Sequence, residues 1–306
     1  VTNKLILVTG AHRSGTTWVG KMLASGPDVA YIHEPFNIKK LLGYSICGAK
    51  FPYWFTYIDS FNEKDYYGEL NKTFSLKYNF PKAISFVDSP YSFHRVIKEY
   101  YYFTKHRQIG SKIIVKDPLA FFSTVWLQQK FGFSILVIIR HPAAFANSLI
   151  RLGWSHPFSH FVFQPELIRI YLDEYREIIT EYSEKEYPII DQAILLWKII
   201  YSTAFKFKEK HKDWIFIRHE DLSQNPLIEF EELFSRLGLV FNNSVKENLL
   251  KYSESSNEIS TDPYNIQRKS REIIKKWKSN LSNQEIQKIR SNVEQISQHF
   301  YDESDW

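Results

Sequence analysis

The stretch Leu5-Ile6-Leu7-Val8-Thr9-Gly10-Ala11-His12-Arg13-Ser14-Gly15-Thr16-Thr17-Trp18 decides the fold. Leu5 to Val8 is an unbroken apolar run, the pattern of a strand buried on both faces and therefore of a parallel sheet. Thr9-Gly10 closes it with a turn. From Thr16 to Ser25 the apolar residues Trp18, Val19, Met22 and Leu23 recur at helical spacing, and Gly26-Pro27 is a stop signal. Strand, glycine-bounded turn, helix is where phosphate binds. Backbone N–H groups at a helix start lack partners and carry the positive end of the helix dipole. Arg13 and the hydroxyls of Ser14, Thr16 and Thr17 add donors at the same point. The lysine of a Walker A loop is absent, which weakens a small-molecule kinase using ATP.

The rest of the chain repeats the alternation. Strands are expected at Val29 to Ile32, Lys112 to Lys116, Ser134 to Ile139 and Trp214 to Ile217. Helices are expected at Phe121 to Lys130, Ala143 to Leu152, Leu167 to Ser183, Ile189 to Lys210 and Leu227 to Leu237. This pattern predicts right-handed β-α-β crossovers, hence a three-layer α/β/α domain around a central parallel sheet, resembling the P-loop NTPases. Two stretches depart from it. Residues 38–110 are aromatic and irregular apart from a helix near Ser92 to Lys105, and read as a helical cap on the acceptor side. Residues 253–306 read as a polar and basic loop followed by a helix from Asn283 to Phe300. There is no internal repeat, so 1–306 is taken as a single domain.

Composition bounds the function. Lys and Arg number 39 against 34 Asp and Glu, a net charge of +5 that is too small for a nucleic-acid binder. The only cysteine, Cys47, excludes an internal disulfide and a cysteine zinc site and points to a cytoplasmic protein. No apolar run approaches the roughly 20 residues of a membrane span, and no signal peptide is legible ahead of Leu5. An anchor outside this sequence stays open. Aromatic residues make up 17% of the chain and concentrate between Phe51 and Phe103, enough to build ring-rich core or to line an acceptor cleft.

Arg13-Ser14-Gly15-Thr16-Thr17-Trp18 resembles the 5′-phosphosulfate loop of the sulfotransferases, which take sulfate from 3′-phosphoadenosine 5′-phosphosulfate (PAPS) and release the bisphosphate PAP. A second motif agrees. Arg140 follows a buried strand and Ser148 lies eight residues on in the next helix. The resemblance implies that this pair holds the donor's 3′-phosphate, and a guanidinium fork suits that task. Arg218-His219-Glu220-Asp221-Leu222 is similar to the family's segment beside the adenine, with His219 where tyrosine is usual. Arg268-Lys269-Ser270-Arg271, ahead of Trp277-Lys278, resembles the basic loop that closes over the 3′-phosphate. The longer spacing to tryptophan, and Ser270 for the expected glycine, leave Arg268, Lys269 and Arg271 all as candidates.

The reaction so implied asks the protein to align donor and acceptor, neutralise the leaving phosphate and deprotonate a hydroxyl, without a metal. Arg13, at a position that is lysine in the family's cytosolic members and arginine in several carbohydrate and tyrosylprotein members, is assigned to the bridging oxygen. Glu34 is the first candidate for the base, because apolar cover raises a carboxylate's pKa toward useful values, and the resemblance favours it. Asp117 is the second candidate and His33 the third, with Lys116 directed at the donor sulfate. The acceptor is expected to be a carbohydrate or other small hydroxyl compound. The competing readings are the kinase and a non-catalytic PAP-binding protein; the oligomeric state is not legible.

Overall fold

The computed structural model describes residues 4–39, 47–254 and 274–306. Five strands, β1 (Leu5–Gly10), β2 (Val29–His33), β3 (Lys112–Lys116), β4 (Ser134–Ile139) and β5 (Ile215–Arg218), form one sheet in the order β2-β3-β1-β4-β5. Every pairing is parallel. The central β1 explains its unbroken apolar run. Ile6 and Val8 belong to one core cluster and Leu7 to the other, so both faces of the strand are covered.

Helices supply the two outer layers. On one face lie α1 (Thr16–Leu23) and helices at Pro226–Arg236 and Asn243–Glu254. Their Trp18, Met22, Phe230 and Leu249 pack with Ile114 and Leu136 of the sheet. The opposite face is covered by α3 (Pro142–Leu152) and α4 (Ile189–Lys210). The aromatic insertion is fused to this second layer: Phe51, Phe55 and Phe74 share a core with Leu7 and Val115. Among the described residues, no helix is long and apolar enough to cross a membrane.

Within the insertion, α2 (Pro90–Ile109) outruns the expected helix at both ends. Pro90 enters its first turn, Ser89 and Ser92 form a reciprocal cap, and Gly110 ends it in the left-handed region at φ 71°. The helix lies at the open edge of β2, where the Tyr102 hydroxyl accepts from the Tyr31 amide at 2.9 Å. The Leu167 to Ser183 expectation fails as one helix. The chain passes through a π turn at Ile168–Leu172 and a 3-10 turn at Asp173–Tyr175 before helix Arg176–Glu184. The widened turn keeps Leu167, Leu172, Tyr175 and Ile179 all facing the core.

Candidate active site

The carboxyl ends of β1, β3 and β4 and the start of α1 converge, the place where open parallel sheets bind ligands. Gly10 is required there: its φ is +133°, and a Cβ would stand 2.4 Å from the Ile138 carbonyl oxygen of β4. Arg13 adopts φ 63° and Gly15 φ 91°, so the turn is wound partly left-handed and strained at a non-glycine residue. No side chain among the described residues caps α1. The Ser14 hydroxyl is buried with no partner among the described residues. An anion cradled by the first turn of α1 would satisfy both.

The second motif meets this loop. Arg13 Nε donates to Ser148 Oγ on α3 at 3.2 Å, and the Arg140 guanidinium donates to the Arg13 carbonyl. Arg140 is held from behind, its amide donating to the Tyr201 hydroxyl at 3.1 Å and its carbonyl accepting from Trp197 Nε1 at 2.9 Å. Two motifs far apart in sequence thus make one basic corner. His219 stands at the loop's far end, where a Cβ on Gly15 would come within 2.1 Å of its ring. Its ring meets Trp18 edge-on at 5.7 Å. Arg268, Lys269 and Arg271 lie outside the described residues. Trp277 beyond them is buried and stacks on His141 at 4.8 Å, bringing that end of the chain beside Arg140.

At the ends of β2 and β3, Glu34 forms an ion pair with Lys116 and accepts from Asn37 Nδ2 at 2.7 Å. The Glu34 side chain is 15% exposed and that of Lys116 only 2%. Burial alone would raise the Glu34 pKa, but the Lys116 ammonium, His33 and the hydrogen bonds from Lys116 and Asn37 outweigh it, and the net displacement is downward. The expectation of a raised Glu34 is therefore corrected. Lys116 is correspondingly turned onto Glu34 and is not free to face a donor alone.

The raised carboxyl is Asp117, pushed up to about 7 by burial and then by the Glu34 charge. It is fully buried, and both oxygens are occupied by backbone amides, Phe36 at 2.7 Å and Leu119 at 2.9 Å. Those bonds cap the 3-10 turn Pro118–Ser123 and pin the segment that follows Glu34. Both oxygens of Asp117 are thus engaged with the backbone on either side of the β2 and β3 ends. His33 is bonded through Nδ1 to the Tyr31 hydroxyl at 3.0 Å and is held neutral, its pKa lowered to about 3 by burial and by Lys116.

Three side chains missed in the sequence complete the site. Asn37, at the end of a Glu-Pro-Phe-Asn turn, orients Glu34. Trp154 lies under the Arg13 guanidinium, 5.5 Å from carbon to ring centroid. His12, inside the loop itself, sits among Trp54, Phe55, Phe145 and Trp154 with Nδ1 buried and unpartnered among the described residues. Burial and Arg13 lower its pKa to about 4, leaving a neutral imidazole beside the cation. Its position in the quoted loop was the available signal.

The sequence profile of the sulfotransferase family matches residues 6–243. No curated protein sequence is significantly similar to the chain. Among solved structures, it is similar to the sulfotransferase domain from the curacin biosynthetic pathway, at 14% identity over 96% of this chain and 98% of that one, with a TM-score of 0.48. It is also similar to a mouse sulfotransferase complexed with PAP, at 11% identity over 97% and 85% of the two chains with a TM-score of 0.49. A third is a sulfotransferase from Mycobacterium avium, at 11% identity over 98% and 77% with a TM-score of 0.47.

Proposed function

This chain belongs to the sulfotransferase family, and from that premise we propose that it moves the sulfuryl group of PAPS to a hydroxyl of a carbohydrate or other small acceptor. The observation that carries the reading is the union of the Gly10–Gly15 turn with Arg140 and Ser148 through Arg13. A bisphosphorylated nucleotide needs two anion sites at a fixed separation, and the meeting of the two motifs supports that reading.

In the proposed reaction the acceptor oxygen forms a bond to sulfur as the bond from sulfur to the 5′-phosphate oxygen breaks. The acceptor's proton passes to Glu34, and PAP departs. Arg13 faces the bridging oxygen, where charge builds up, and Ser14, Gly15, Thr16 and Thr17 hold the 5′ end. Arg140 and Ser148, with Arg268, Lys269 or Arg271, hold the 3′-phosphate; His219 and Trp18 flank the adenine. Lys116 keeps Glu34 ionised and ready to accept a proton, while Asn37 fixes its orientation. Trp54 and Trp154, both half-buried beside His12, offer ring faces to the acceptor.

Calorimetry of PAP against ATP with magnesium, repeated with Arg140→Ala, tests the donor site. PAP is expected to bind selectively and to lose roughly 1.5–3 kcal/mol in the variant, as for a charged hydrogen-bond partner. Preference for ATP, or no nucleotide binding at all, would sink the reading.

A further inference from the structure

The inner face of α2 is fully used: Val96 and Phe103 are buried and Tyr102 seals the edge of β2. A second stripe on the same helix is used only in part, Tyr100 meeting Tyr78 and Phe80 edge-on. Phe93, Ile97, Tyr100 and Tyr101 follow helical spacing along one side, and each is exposed, Tyr101 to 71%.

Charge runs beside it. At about 100° per residue, Lys98 and Lys105 border this stripe on its solvent side. Both are exposed, and neither forms an ion pair among the described residues. The helix has one carboxylate, Glu99, and it is engaged by Arg95 at 3.1 Å and by the Tyr78 hydroxyl at 3.0 Å. The outward surface is therefore aromatic and cationic, with no exposed acid.

We propose that this face of α2 docks the enzyme on an anionic lipid surface. A protein partner fits less well, since interface cores are depleted in lysine. A bilayer surface uses both halves of the pattern: rings settle at headgroup depth, and lysine stems lie along the apolar layer while their ammonium groups reach lipid phosphates. The helix is about 30 Å long and lies at the sheet edge, so it can lie flat on a membrane without any element crossing it.

The test is co-sedimentation with vesicles of phosphatidylcholine, with and without about a third phosphatidylglycerol. The protein should partition onto the anionic vesicles and be released by salt. Phe93→Ser with Tyr101→Ser, and separately Lys98→Glu with Lys105→Glu, should each reduce that partition about tenfold or more while PAP affinity is unchanged. Equal partition of wild type and both variants, or no binding of wild type to either vesicle, overturns the proposal. So does self-association that depends on Phe93 and Tyr101 without vesicle binding, which would make the face a contact between protein copies.

Discussion

Ser148 accepts a 3.2 Å hydrogen bond from Arg13 across 135 residues of chain. The bond ties the cation of the β1 turn to the first helix after β4, so the two ends of the proposed donor site are set against each other before any ligand arrives. Ser148→Ala should leave the fold intact and free the Arg13 side chain. The expected cost is one ordinary hydrogen bond, about 0.5–1.5 kcal/mol, or roughly 2- to 10-fold in PAP affinity. Titration calorimetry reads it, and an unchanged affinity would mean that the bond does not order the site.

Gly15 faces two independent obstacles to a side chain, its φ of 91° and the His219 ring, which a Cβ would meet at 2.1 Å. Gly15→Ala should abolish measurable PAP binding. Adding His219→Ala removes the collision but not the backbone strain, so the double variant should recover only part of the affinity. Full recovery would show that space alone makes the glycine necessary.

How far this site could be read in advance depended on whether its causes were local. β1 and its turn were legible because burial on both faces leaves an apolar run that polar residues cannot interrupt. The helix Ile189–Lys210 was legible to the residue, since Pro188 precedes it and its apolar spacing persists to the end. The charge state of Glu34 was not legible. It is set by Lys116, 82 residues away, which reaches it only because β2 and β3 pair in the register His33 to Lys116. The surroundings of Asp117 were not legible for the same reason, as one of the amides that occupies it belongs to Phe36, 81 residues earlier.

The Glu34–Lys116 pair makes a prediction in pH. Folding lowers the Glu34 pKa, so the stabilisation is present above the ordinary carboxylate range and is lost as pH falls through the lowered value. Lys116→Met keeps the buried stem and removes the charge, leaving burial opposed only by His33 and the Asn37 hydrogen bond. The acid limb of the kcat/KM profile should then move to higher pH. Glu34→Gln should remove that limb and about 100-fold or more of the rate, with PAP affinity retained. Full turnover in Glu34→Gln would take the base away from this residue.

Asp117 has the opposite sign. Its folded pKa is raised to about 7, so its contribution is most favourable when it is protonated and declines as pH rises from about 4 to about 7. Asp117→Asn cannot titrate, and the pH dependence of its unfolding free energy should be flatter across that window. The amide also turns an NH2 group toward one of two backbone donors, at about 1–3 kcal/mol. Denaturant unfolding at several pH values separates the two effects. Identical slopes in wild type and variant would show that Asp117 does not titrate there.

Substitutions at Trp154 distinguish the proposed donor site from the proposed acceptor site. Its ring lies under Arg13 and beside His12, so Trp154→Ala removes a cation–π contact worth about 0.5–1 kcal/mol and opens the wall of the aromatic niche. If the ring only steadies Arg13, PAP affinity and the acceptor KM should both change by about 2- to 5-fold. The proposed acceptor wall demands more: the acceptor KM should rise well beyond the change in PAP affinity, and Trp154→Phe, which keeps a flat face, should restore most of it. Equal changes in the two quantities would move the acceptor site away from Trp154 and leave that residue as a support for the cation alone.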